Sequence, residues 1–175
     1  MQEPFNGNSA SKGGAAYNND TLNIAENTFE ANSADFGGAL YNSASGKISA
    51  IQGTFNANTA VSDGGALYNI GSINTIGGSF TNNKAVNKGG AVYNTGKLDK
   101  IANASFSSNS TTADNGMGGA IYNSQASNKL TVEETNFNSN KSANGGAIAT
   151  DGALDITNST FTQNSASGNG GAIYN

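Results

Sequence analysis

The sequence predicts an all-β protein, a single-stranded right-handed parallel β-helix (β-solenoid) of about seven coils of roughly 26 residues. Three recurrences predict it. A Phe-x-x-Asn tetrapeptide, a Gly-Gly-Ala triplet and a pair of aliphatic residues return in that order along the chain. Self-similarity at a steady period of this length is the signature of a repeat architecture, in which each unit buries its apolar face only against its neighbours.

The first column is Phe5, Phe29, Phe55, Phe80, Phe106, Phe137 and Phe161, at spacings of 24, 26, 25, 26, 31 and 24 residues. Three residues beyond each stands Asn8, Asn32, Asn58, Asn83, Asn109, Asn140 or Asn164. If one unit forms one coil, identical positions stack about 4.8 Å apart. The phenylalanines then form an aromatic ladder inside. The asparagines, at a turn, pass side-chain amide hydrogen bonds from coil to coil. An aspartate column there repels itself, and a leucine column leaves turn backbone groups unpaired. Each amide bond contributes about 1 kcal/mol net, and repetition down the column fixes the register.

The second column is Gly-Gly, beginning at Gly13, Gly37, Gly64, Gly89, Gly118, Gly145 and Gly170. It is expected at a corner where coils crowd and the backbone needs conformations closed to other residues. Ala16, Leu40, Leu67, Val92, Ile121, Ile148 and Ile173 follow, then Tyr-Asn in six of seven copies; the sixth has Ala149-Thr150. Strand alternation turns the aliphatic residue inward and Tyr outward. An outward Tyr column is first a surface ladder that stabilises the stack and second an aromatic binding stripe.

The third column holds the aliphatic pairs Leu22 and Ile24, Ile48 and Ile51, Ile73 and Ile76, Leu98 and Ile101, Leu130 and Val132, and Leu154 and Ile156. Each unit is therefore three short apolar segments separated by the turn formers Gly, Asn, Ser and Asp. A helical repeat fails on the same observations. The apolar runs lack i, i+3, i+4 spacing, and two adjacent glycines per unit cost a helix roughly 2 kcal/mol. Leucine-rich repeats need a leucine consensus that is absent.

Composition narrows the function. The 175 residues carry eight lysines, twelve acidic residues and a net charge of −4, with no histidine. No arginine is present either. A nucleic-acid partner is excluded for want of a basic surface, and an anionic membrane or heparin-like partner is disfavoured. Without cysteine there is no thiol-ligated metal and no disulfide framework. No run approaches the ~20 apolar residues of a membrane span, so this segment is not expected to insert into a membrane. Met1-Gln2-Glu3-Pro4 does not open a signal peptide.

The Phe-x-x-Asn and Gly-Gly-Ala-aliphatic pairs resemble the repeats of polymorphic outer-membrane proteins and related autotransporter passenger domains. Examples are Phe55-Asn56-Ala57-Asn58 with Gly64-Gly65-Ala66-Leu67, and Phe161-Thr162-Gln163-Asn164 with Gly170-Gly171-Ala172-Ile173. The resemblance covers essentially the whole chain. It implies a right-handed β-helix exposed on a Gram-negative cell surface, secreted through a C-terminal barrel and acting in adhesion. Neither barrel nor signal is in this sequence. Residues 1–175 are accordingly expected to form one β-solenoid domain, a segment of a longer solenoid.

Parallel β-helices also include polysaccharide lyases and hydrolases, a remote alternative here. A lyase of that fold needs a cationic base and an acidic calcium cluster. Lys84 and Lys88, and Lys97 and Lys100, have no local carboxylate cluster beyond Asp99. Glu133 and Glu134 are adjacent and face opposite sides of a strand. Asp151 and Asp155 read as solvated turn carboxylates. Asp35, Asp63 and Asp114, each shortly before a Gly-Gly, read as turn caps and not as a calcium repeat. The column before each Phe (Thr28, Thr54, Ser79, Ser105, Asn136, Thr160) is too broken for an ice-binding threonine array. No catalytic residue, metal or cofactor is expected.

Partners are expected to be molecules of a host or neighbouring cell surface, or further copies joined through solenoid ends into an extracellular filament. Copy five is the place to look for a specific contact. Its Phe106 to Gly118 spacing is twelve residues against eight or nine elsewhere. Insertions in solenoids form outer loops, so Ser110–Met117 and Ser124–Asn128 are expected to protrude. Thr111, Asp114, Asn115, Gln125 and Asn128 are the candidate contact residues. The chain opens and closes inside a unit, and its ends are expected to stack on further coils.

Overall fold

The computed structural model describes residues 4–124 and 129–175. Every described strand pair is parallel, and three sheets run along the stack with nine, six and seven strands. Each unit contributes one strand or strand segment to each sheet in turn, except that the first meets the six-stranded sheet only through isolated bridges, as between Ser9 and Ser33. Among the described residues there is no helix.

The wide sheet carries the aliphatic pair and the phenylalanine on one strand, as in Lys47–Asn56, Ser72–Thr81 and Lys97–Ser107. Its register sets Phe55 beside Phe80 and Phe80 beside Phe106. A short-strand sheet follows, for example Thr59–Asp63, Lys84–Ala85 and Ser110–Thr111. The third sheet is built from Leu40–Asn42, Leu67–Asn69, Val92–Asn94 and Ile121–Asn123 and their equivalents.

The core is the predicted one. Phe55, Phe80, Phe106 and Phe137 are fully buried, with ring centroids 4.7 to 5.2 Å apart in a parallel stack. Ile51, Ile76, Ile101, Leu67, Val92 and Ile121 pack against them. Full burial of each such side chain contributes roughly 1.5–3 kcal/mol. Phe5, on the first coil, is 44 % exposed because it has a ring on one face only.

The asparagine column is continuous from Asn8 to Asn164. Asn83 illustrates the rung: its Nδ2 donates to Asn109 Oδ1 at 3.0 Å and to the Phe55 carbonyl at 2.9 Å, one coil to either side. Asn109 Oδ1 also accepts the Asn83 backbone N–H at 3.0 Å. Asn32, Asn58, Asn83, Asn109 and Asn140 are completely buried, whereas Asn8 at the first coil is exposed.

The two glycines of each corner are required for different reasons. The first takes a left-handed φ, +66° at Gly64 and +61° at Gly89, which suits glycine. The second has no room for a side chain. A Cβ on Gly65 lies 2.0 Å from the Gly90 carbonyl oxygen of the next coil.

Candidate functional site

The third sheet presents the tyrosines outward. Tyr17, Tyr41, Tyr68, Tyr93 and Tyr122 stack face to face at 4.6 to 5.5 Å. Beside them runs a column formed by the residue before each Gly-Gly: Lys12, Phe36, Asp63, Lys88, Met117 and Asn144, joined by parallel bridges. Unlike the Phe and Asn columns, it changes chemistry from coil to coil until Asn144, on which Asn169 of the last coil repeats the asparagine. Lys12 Nζ lies 5.2 Å from the Tyr41 ring centre, Phe36 meets Tyr68 edge-on at 5.3 Å, and Lys88 Nζ lies 4.3 Å over Tyr122. In each case the residue leans over the tyrosine of the following coil.

This cover decides what the tyrosines do. Tyr41 is 6 % and Tyr122 4 % exposed, while Tyr17, on the first coil, is 53 % exposed. Tyr68 and Tyr93 between them are half-buried, so the column is closed at Tyr41 and Tyr122 and partly open between. Tyr122 is held further: its hydroxyl donates to Asp151 Oδ2 at 2.7 Å and accepts from Lys88 Nζ at 3.2 Å. Burial, then the hydrogen bond to Asp151, pushes its phenol up to about 12. Burial likewise raises Tyr68 and Tyr93, with Asp63 adding repulsion at both. In copy six the ladder breaks at Ala149, which is completely buried.

Asp63 sits in the middle of this surface. The Ser62 hydroxyl donates to its Oδ2 at 3.0 Å, but Oδ1 is buried without a hydrogen bond. Burial raises its carboxyl above the ordinary 3.8, against the opposing effects of Ser62 and Lys88. Of the carboxylates weighed for catalysis, Asp151 is engaged with Tyr122, Asp155 with Lys129 at 2.9 Å and Glu133 with Lys100 at 3.4 Å, while Glu134 is exposed. Among the described residues no three His, Cys, Asp or Glu side chains come together as a metal site.

The expected loop of copy five is shorter than Ser110–Met117. Thr111 is buried: it pairs with Ala85 in the short-strand sheet, and its hydroxyl lies 2.7 Å from Ser142 Oγ. It fills the small-residue position held by Ala34, Ala60 and Ala85 in earlier coils, so it is not a contact residue. Met117 is bridged to Lys88 and Asn144. The inserted residues lie between these two anchors, where Asp114 and Asn115 are exposed and Gly116 N–H bonds the Ala113 carbonyl. Gln125 and Asn128 lie outside the described residues.

One column was not singled out from the sequence. The asparagines of Tyr-Asn form a second buried ladder, Asn18 to Asn42 to Asn69 to Asn94 to Asn123, at 2.6 to 2.7 Å. Where copy six has Thr150, Asn123 Nδ2 donates to its hydroxyl at 3.2 Å. The signal was present in the recurrence of Asn directly after Tyr.

In three of the coils, the rungs of both columns and the glycine corner lie within segments that a known family shares. Residues 52–70, 77–95 and 158–175 match the model of the Chlamydia polymorphic membrane protein (Chlamydia_PMP) repeat. These three segments of the chain are similar to that repeat. Each matched segment spans one Phe-x-x-Asn, one Gly-Gly-Ala and the Tyr-Asn that follows. The family's repeat is thus the set of residues that stacks one coil on the next. No curated protein and no solved structure matches the chain.

Proposed function

We propose that this chain is a non-enzymatic adhesin stalk, a passenger-type β-solenoid displayed at the cell surface that binds molecules of a host or neighbouring cell. The observation that supports it is the repeat itself. The residues common to all units are spent on stacking, so the outer faces are free to vary from coil to coil, and the column Lys12, Phe36, Asp63, Lys88, Met117, Asn144 does vary. A rigid rod with a variable surface suits recognition at a distance from the membrane. The exposed turn at Asp114 and Asn115 is the candidate loop contact.

Saturable binding of the labelled chain to cultured host cells, displaced by unlabelled chain, is the expected result. Binding that never saturates, or that a shuffled-sequence control reproduces, contradicts the proposal. Antibody labelling of intact cells tests the surface location separately.

A second reading is an extracellular filament. Coils repeat in kind along the axis, and a backbone ladder does not distinguish a covalent neighbour from another chain. Electron microscopy of the chain at high concentration separates the readings: long fibres support the filament, and isolated short rods contradict it.

A further inference from the structure

The wide sheet is not uniform, and its irregularity makes a recess. Between the inner aliphatic residue and Phe, the coils of Phe55 and Phe80 have one residue fewer than their neighbours on both sides. The register shows it. Ala25 pairs with Gln52 and Thr28 with Thr54, so Glu26 and Asn27 face the single residue Gly53. On the other side Ile101 pairs with Ile76 and Ala104 with Gly78, so Ala102 and Asn103 face Gly77. Between the two short coils the register is unbroken.

The longer coils absorb their extra residue as bulges with left-handed φ, +58° at Glu26, +53° at Asn103 and +46° at Glu134. The short coils carry glycine here: Gly78 has φ +83°, and a Cβ on it would clash with the Gly53 carbonyl oxygen. The result is a trough of about 660 Å³ with Glu26 on one rim and Asn103 and Glu134 on the other. Glu26 to Asn103 spans three coil spacings, about 14 Å, and Glu134 stands one coil further.

We infer that this trough is a binding site for a neutral, hydroxyl-rich carbohydrate. The proposal rests on the surface-contact reading above and names the ligand class for one face of it. Strand alternation turns Ile51, Gly53 and Phe55 inward and leaves Gln52 and Thr54 exposed on the floor. Ser79 lies beside Thr54 in register. Gln52, Thr54 and Asn103 make no side-chain hydrogen bond to another described residue. Amides and hydroxyls are both donors and acceptors, which is what a row of sugar hydroxyls requires.

The alternatives fit less well. A peptide strand needs a sheet edge to pair with, and the trough lies in the interior of a nine-stranded sheet. It offers no apolar pocket to anchor a side chain. An anionic glycan meets Glu26 and Glu134, with no lysine in the lining and a net charge of −4 on the chain.

The test uses the whole chain, with maltohexaose, chitohexaose and a heparin-derived hexasaccharide as probes and backbone amide NMR shifts as the readout. A neutral hexasaccharide is expected to shift the amides of Gln52, Thr54 and Ser79. Thr54→Tyr, which fills the trough from an exposed position, is expected to weaken that binding about tenfold or more while thermal unfolding stays unchanged. Thr59→Tyr on the short-strand sheet is expected to leave binding intact. The inference is overturned if neither neutral probe shifts these amides at millimolar concentration. It is also overturned if Thr54→Tyr binds like the parent chain, or if the heparin fragment binds more tightly. Host-cell binding that survives a silent trough removes this site alone and leaves the adhesin reading standing.

Discussion

Asn83 and Asn109 are joined by a side-chain bond of 3.0 Å in which every polar atom of the Asn83 amide is committed. Nδ2 uses one proton on Asn109 Oδ1 and the other on the Phe55 carbonyl, and Oδ1 accepts from Asn58. Removing one rung orphans groups on both sides. Asn83→Ala is expected to cost about 1–3 kcal/mol, the penalty for buried polar groups left unpaired. Denaturant unfolding measures it. Asn8→Ala, at an exposed position with one neighbouring coil, is expected to cost less.

The residue just before each column asparagine yields an opposite pair of effects. Ala57 has φ +54° and Gln163 +53°, a region that costs a non-glycine residue roughly 1 kcal/mol. Ala57→Gly is therefore expected to be neutral or to stabilise by up to about 1 kcal/mol, although glycine loses more backbone freedom on folding. Gly65→Ala is expected to destabilise strongly, because its Cβ meets the next coil's backbone at 2.0 Å. Paired thermal melts of the two variants check the signs.

Asp63 carries a pH signature. Its folded carboxyl is raised above 3.8, with burial as the largest cause. The protonated form therefore suits the fold better. Its contribution is fully present below the unfolded pKa and is lost as pH rises through the higher folded value. Asp63→Asn is expected to stabilise the chain at pH 7, with the advantage shrinking as pH falls through the raised folded value towards 3.8. An advantage of equal size at both pH values contradicts the assignment.

The turn of copy five is separable from the stack. Ala85 to Lys88 is three residues, and Thr111 to Met117 is six. Deleting Ala113, Asp114 and Asn115 restores the shorter spacing and is expected to change stability by less than about 1 kcal/mol, since loop length enters only logarithmically. If Asp114 and Asn115 make the surface contact, host-cell binding falls while the melt is preserved. Unchanged binding removes them from the account.

Much of this fold is written in the columns. Phe80 and Asn83 are legible because their roles repeat, and stacking demands like on like. Thr111 misled because it stands beside an insertion, yet its position belongs to the alanine column and its hydroxyl is met by Ser142. The trough was not legible, because it arises from a residue missing between Ile51 and Phe55, and between Ile76 and Phe80, relative to flanking coils. A deficit has no motif. The cover over Tyr122 was equally hidden, since it depends on Lys88 reaching across to the next coil.

The central claim is the register that places one unit on the next, and a disulfide scan tests it most directly because the parent chain has no cysteine. Thr59 and Lys84 are exposed register partners on neighbouring short strands. Adjacent strands lie about 4.8 Å apart, within the roughly 4.4–6.8 Å range of disulfide Cα separations. Thr59→Cys with Lys84→Cys is expected to cross-link on mild oxidation and to leave the melt cooperative, while Thr59→Cys with Val86→Cys is not. Equal cross-linking of the two pairs, or none in the first, contradicts the stacked-coil account.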